Sequence, residues 1–270
     1  MSDQLPGVTP ARVANPFHVY EEPLPDVAPT DAAHPMHEYA ALYPEVVKAG
    51  SLQNALQAVV DRANRGLTVE LTSSPGWRYV AATTEADGRS ANVLMASSER
   101  TFLVDCWAHG IHMVSGSTQD LSEAAGAMHS WHQGSRVREL VAQWAFLRTW
   151  ELAEAHERGE AVPARWQMMR QAAELYAERR QEPDWRALVE AAFAQPRLRA
   201  LSPGKAMYWL TFSRRAAPPI CKDLPRTRPL GNGRFEVTFA EGRVQEVDGA
   251  AAAVAVILDG LPDDAVPYPA

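Results

Sequence analysis

Residues 100–125 read RTFLVDCWAHGIHMVSGSTQDLSEAA, and this stretch decides the fold. Its first part, residues 101–108, is a short run rich in β-branched and aromatic side chains. Gly110 supplies a turn, and residues 111–115 resume the same grammar, as in an antiparallel hairpin. The period then changes. Ser117 and Asp120 form a capping-box-like start for a helix that carries Leu121, Ala124, Ala125 and Met128 and stops before Gly134. The unit is strand, glycine turn, strand, glycine, helix.

Toward the N-terminus, residues 67–72, 77–83 and 91–96 are further short β-type runs, divided by Ser74-Pro75-Gly76 and Asp87-Gly88. Ahead of them lies a helical stripe of Leu52, Ala55, Leu56, Val59, Val60 and Ala63, with Ser51 a fitting N-cap and Gly66 a fitting stop. Residues 1–36 carry Pro6, Pro10, Pro16, Pro23, Pro25, Pro29 and Pro35, a density that predicts an extended arm or tail. Phe17 and Tyr20 are the arm residues suited to docking on the body.

Toward the C-terminus, residues 136–181 are almost wholly helical in pattern. Val137, Leu140, Val141, Trp144 and Leu147 share one face, and Trp166, Met169, Ala173 and Tyr176 begin another after Gly159 and Pro163. Pro183 opens a third helix at its first turn, with Trp185, Leu188, Val189, Ala192 and Phe193 facing inward. The opening grammar then returns. Residues 206–213 (AMYWLTFS) read as a strand, and a proline-broken stretch leads to Gly231-Asn232-Gly233, a strong turn. Residues 234–239 and 243–247 make a hairpin, and Asp248 caps a last helix bearing Val254, Ile257, Leu258 and Leu261.

Residues 233–249, GRFEVTFAEGRVQEVDG, match the plan of residues 100–116, each leading into a helix. The expectation is an α+β chain of two helix–antiparallel sheet–helix units, with an internal duplication as one origin. The first unit spans residues 37–134, a helical connector 135–182, and the second unit 183–270.

Composition narrows the function classes. A hydrophobic fraction of 46% and a charged fraction of 22% are those of a globular protein. A net charge of -7 argues against holding a nucleic-acid backbone, which needs a concentrated positive face. No run is long and apolar enough to span a bilayer, and the start MSDQLPGVTPARV lacks the basic and apolar parts of a secretory signal. Cys106 and Cys221 are too few for a disulfide framework. A soluble, cytoplasmic protein with reduced thiols is expected.

Several clusters are candidates for chemistry. Histidines recur in pairs of equal spacing, His34/His37, His109/His112 and His129/His132. Imidazole is a common metal ligand, so the candidate metal sets are His109 and His112 with Asp105 or with His129 and His132, and His109 and His112 are also candidate binding residues without a metal. The alternative is structural or surface histidines. No HExxH, GxSxG or Gly-rich phosphate loop is present, and no cofactor is expected. Cys106 lies mid-strand, where a thiol is usually inert packing, and Cys221 has no base near it in sequence. Arg214, Arg215, Lys222, Arg226 and Arg228 form the one local basic concentration. They suit a clamp for a carboxylate, a phosphate or an acidic partner, or else solvated stems over apolar surface. The tryptophans 107, 131, 144, 150, 166, 185 and 209 fall mostly on predicted core faces.

The stretches YPEVVKAGSLQNAL (43–56), VDCWAHGIHMVSGSTQDLSEAA (104–125), YWLTFSRRAAPP (208–219) and the closing GRFEVTF and LDGLP resemble an actinobacterial family of unknown function often labelled natural-product biosynthesis protein. The arginine-rich, lysine-poor composition has the same flavour of a GC-rich genome. The resemblance implies no catalytic residues. The leading expectation is a non-catalytic accessory or binding protein with a protein or peptide partner, a small-molecule ligand being possible. The rivals are a metal-assisted enzyme using the histidines, and an immunity-type protein whose acidic surface covers a toxin's basic site.

Overall fold

The computed structural model describes residues 36–72, 75–180 and 183–268. The proline-rich arm before Met36, with Phe17, Tyr20 and His34, lies outside them, as does Ser74. The fold is α+β with two antiparallel sheets. In each sheet the strands lie side by side in chain order, so pairing is always with a sequence neighbour.

The first sheet contains β1 (Glu70–Leu71), β2 (Ala81–Ala86), β3 (Arg89–Met95), β4 (Phe102–Ala108), β5 (Ile111–Thr118) and β6 (Leu147–Arg148). Helices α1 (Pro44–Ala49) and α2 (Leu52–Arg62) precede it, and α3 (Leu121–His132), α4 (Val137–Gln143) and α5 (Glu151–Glu157) come after β5. The long helix α6 (Ala161–Arg180), α7 (Pro183–Ala194) and the single turn α8 (Pro196–Arg199) lead into the second sheet. That sheet contains β7 (Ser202–Ala206), β8 (Trp209–Ser213), β9 (Arg226–Gly231), β10 (Arg234–Thr238) and β11 (Val244–Asp248), with α9 (Ala250–Asp259) after it.

Turn chemistry places the hairpins. Asp87-Gly88, His109-Gly110 and Asn232-Gly233 all have positive φ at both residues, the mirror-image turn whose twist matches that of paired strands. Strand alternation then divides each sheet into two faces. In the first sheet Ala91 lies opposite Cys106, Val93 opposite Val104 and Met95 opposite Phe102. All are buried beneath α2 and α3, with Leu56, Val60, Met128 and Trp131. In the second sheet Leu210, Phe212, Phe235 and Val237 are buried beneath α7 and α9, with Leu188, Val189, Val254 and Ile257. Each large apolar side chain so buried contributes about 1.5–3 kcal/mol.

The helical stretch 135–182 is shared between these two cores. Val137, Leu140, Leu147 and Ala153 pack into the first, whereas Trp166 and Ala173 of α6 pack into the second. The stretch is not continuous helix either. Trp144 ends α4 with an extended backbone, which lets its indole lie over Gly126, where any Cβ would collide with the ring. Leu147 belongs to β6, because Gly116, having no Cβ, leaves room for the Phe146 carbonyl where β6 pairs with β5. Other local expectations also shift. Residues 206–213 are part of a β7–β8 hairpin turning at Met207-Tyr208, and α2 ends at Arg62 rather than at Gly66. Gly249, with φ 88°, is the N-cap of α9, and Asp248 is the last residue of β11.

Hairpin-then-helix recurs as β4–β5–α3 and β10–β11–α9. The repeat is one of element order and not of residue roles. Gly116 admits the Phe146 carbonyl beside the paired strand β6, while Gly249 turns the backbone into a helix.

Candidate functional site

The basic concentration of the second unit splits by environment. Arg214 is 7% exposed, and its guanidinium pairs with Asp264 and Asp223 at 3.1 Å each. Its carbonyl accepts from the Tyr268 amide at 2.8 Å. This arginine ties the C-terminal segment to β8, and its terminal nitrogens are committed to the chain's own carboxylates instead of to a clamp of the expected kind. Arg215 is exposed, with its guanidinium 5.3 Å from the Tyr268 ring. Arg226 and Arg228 stand two residues apart on β9 and share its outer face. Their guanidinium carbons lie 4.4 Å and 4.7 Å from the Trp209 ring, a spacing at which a cation is attracted to the indole face. Arg228 also reaches Glu236 across the strands at 3.1 Å, whereas Arg226 is exposed. Beyond Trp209 the hairpin tip projects Met207, 82% exposed, and Tyr208, 63% exposed. Met207 has φ 55°. Among the described residues, the other non-glycine residues with positive φ are Asn64, Asp87, His109 and Asn232, types that tolerate it far better than an unbranched apolar side chain. The tip was hidden in the sequence because AMYWLTFS alternates well enough to pass for one strand.

A second cluster occupies the outer face of the first sheet. Asp105 and Trp107 of β4 point away from α3, and a bulge between Cys106 and Trp107 sets His112 opposite Trp107. The His112 Nε2 lies 2.9 Å from Asp105 Oδ1. Its ring stacks on Trp107 with centroids 4.5 Å apart and meets the edge of Trp150 at 4.7 Å. Trp150 reaches the site because β6 pairs with β5, and Thr149 Oγ1 donates to the Met113 carbonyl at 3.0 Å. Asn92, Asp105, Ser115 and Arg148 form a cross-strand row on this face. A carboxylate holding an imidazole, both about a quarter exposed, can orient that ring for proton transfer or for hydrogen bonding to a ligand.

Residues 160–269 match a family of unknown function, DUF6193. The DUF6193 match covers the second core, its sheet, the Met207-Tyr208 tip and the Arg–Trp–Arg stack. The Asp105–His112 cluster lies outside it. No curated protein and no solved structure matches the chain.

The remaining candidate residues are dispersed. His109 sits in the β4–β5 turn with its ring against Gly88. His132 lies on the inner side of the sheet, its Nε2 2.7 Å from the buried Thr84 Oγ1. Burial first, and then the Arg89 charge, hold its pKa below the usual imidazole value. His112 and His132 therefore belong to opposite faces of one sheet, and His129 is on α3 with His132. Among the described residues, no three His, Cys, Asp or Glu side chains converge where a metal ion would sit. Cys106 is buried on the inner face, where burial and the neighbouring Asp105 charge push its thiol pKa up, so the sulfur stays protonated. Cys221 is half-buried, and its amide donates to Ser213 Oγ at 3.2 Å. Trp131, Trp166 and Trp185 are core residues as expected, but Trp107, Trp150 and Trp209 stand at least partly exposed. No helix among the described residues is long and apolar enough to cross a membrane.

Proposed function

We propose that the chain is a non-catalytic binding protein that engages an acidic protein or peptide through the outer face of its second sheet. The observation that carries this is the β7–β8 tip, where Met207 is 82% exposed in a conformation unfavourable to its side chain. Large apolar side chains held out in water beside Trp and Arg are the makings of an interface anchor. The flanking Arg226 and Arg228 stand on a chain of net charge -7, so the local sign favours an acidic partner over a basic one. An accessory role beside natural-product biosynthetic enzymes, in the cytoplasm, accords with the resemblance carried by residues 208–219. To test it, a photo-crosslinking phenylalanine would replace Tyr208 in the full chain, expressed in cells of the source organism. One acidic protein is expected as the adduct, and it should vanish in the Arg226→Glu, Arg228→Glu double variant. An adduct pattern unchanged by that double variant would sink the proposal.

The Asp105–His112 pair offers two donors for a second reading, metal-assisted catalysis on the first sheet, in which water or substrate would complete the coordination. Native mass spectrometry of protein purified without chelators separates the two. One metal per chain, lost on His112→Ala, supports the enzyme; a bare polypeptide mass supports the binding protein.

A further inference from the structure

A cleft of about 860 Å³ opens between α6 and the α7–α8 segment, on the helical side of the second unit. It is separate from the hairpin tip and from the Asp105–His112 cluster. Phe193 and Trp166 form its aromatic side, with ring centroids 5.6 Å apart, and Pro163 and Pro196 add apolar walls. Two guanidinium groups lie near the same Phe193 ring, that of Arg170 at 4.3 Å and that of Arg199 at 5.6 Å. Their electrostatic situations differ. Arg170 makes a bidentate pair with Glu190 at 2.8 and 2.9 Å. Glu174, the other acid of the lining, pairs with Arg186 at 2.8 Å. Arg199 has no carboxylate partner among the described residues, and it is exposed at the cleft.

Every other charge of the lining is matched within the protein, which leaves one guanidinium beside an aromatic floor. A guanidinium in that position binds a carboxylate through paired N–H donors, and Phe193 offers a flat apolar surface next to it. We propose that this cleft binds an aromatic carboxylate, with the ring against Phe193 and the carboxylate on Arg199. A neutral amide of the same shape keeps the ring contact and loses the charge-assisted hydrogen bonds, so the pair of compounds isolates the role of Arg199.

The probes are 3-phenylpropionate and 3-phenylpropanamide, titrated into the full chain by calorimetry and by ligand-observed NMR. The acid is expected to bind saturably and at least about tenfold more tightly than the amide. Arg199→Gln, a change at an exposed position, should remove that preference. Arg197→Gln, on the same short helix but outside the lining, should keep it. Equal binding of acid and amide, an unchanged preference in Arg199→Gln, or no saturable binding of the acid up to about 10 mM would each overturn the proposal. Circular dichroism of each variant confirms that it is folded before its binding is compared.

Discussion

Tyr43 shows how one side chain can close a loop. It is fully buried, stacked edge-on against Phe102 with centroids 5.3 Å apart, and its hydroxyl meets the turn between β3 and β4. The Thr101 amide donates to it at 2.8 Å, and the carbonyls of Glu99 and Ala96 stand 2.7 and 2.8 Å away. Burial holds the phenol pKa above its usual value, so the group stays protonated and able to donate. Arg100 secures the same corner through the Leu42 and Gln119 carbonyls and Glu45. Tyr43→Phe keeps the packing but leaves a buried amide and carbonyls short of a partner. Urea unfolding should show a loss of about 1–3 kcal/mol; a loss below about 0.5 kcal/mol would mean that water replaces the hydroxyl.

Among the elements, the β7–β8 hairpin is the one whose turn chemistry opposes its conformation. The other two-residue hairpin turns use Asp-Gly, His-Gly and Asn-Gly, while this one places Met207 at φ 55°. Glycine adopts positive φ without a Cβ clash. Met207→Gly should therefore hold or raise stability, by up to about 1 kcal/mol, once the greater freedom of glycine in the unfolded chain is offset. The same change should abolish the Tyr208 crosslink to a partner. A variant both less stable and still crosslinked would show that Met207 packs within the chain and serves no interface. The helical elements illustrate the opposite balance. Ser51 caps α2 through the Asn54 amide, as its place before an apolar stripe indicates. Trp144, although in step with Val137 and Leu140, leaves the helix because its indole fits over Gly126 and its Nε1 donates to Ser130 Oγ at 3.2 Å.

At the scale of the whole molecule, two cores meet through α5, α6 and the loop after β8. Arg165 of α6 donates to the Ala216 carbonyl at 2.9 Å, with His156 of α5 beside it at 3.5 Å. Pro218 of the same loop packs over Gly110 in the β4–β5 turn of the first unit. Burial, and then the Arg165 charge, push the His156 pKa down to about 4. An unfolded histidine titrates near pH 6.5, so between these values the unfolded chain holds more protons. The stability this neutral imidazole contributes is fully present above about pH 6.5 and falls as pH drops toward 4, by no more than about 1.4 kcal/mol per pH unit. Wild type and His156→Gln should thus converge in stability as pH is lowered through that window. A difference independent of pH would show that His156 is hydrated in the folded protein.

The same division separates the features legible in the sequence from those that were not. The sequence by itself determined the α+β class, the antiparallel hairpins and the main helices, because each rests on neighbours in the chain. Asp87-Gly88 and Asn232-Gly233, each between β-type runs, favour the tight turns found there, and Ser51 caps the apolar helix that begins at Leu52. Only the tertiary structure brought together the side chains of the candidate sites. Trp150 meets His112 because the two-residue strand β6 pairs with β5 at Gly116, and Trp209 lies against Arg226 and Arg228 because β8 and β9 pair across a long proline-broken connection. Such contacts join residues whose spacing in sequence carries no period. Their selection depends on which faces are buried, a property of the assembled sheets and helices and not of any one segment.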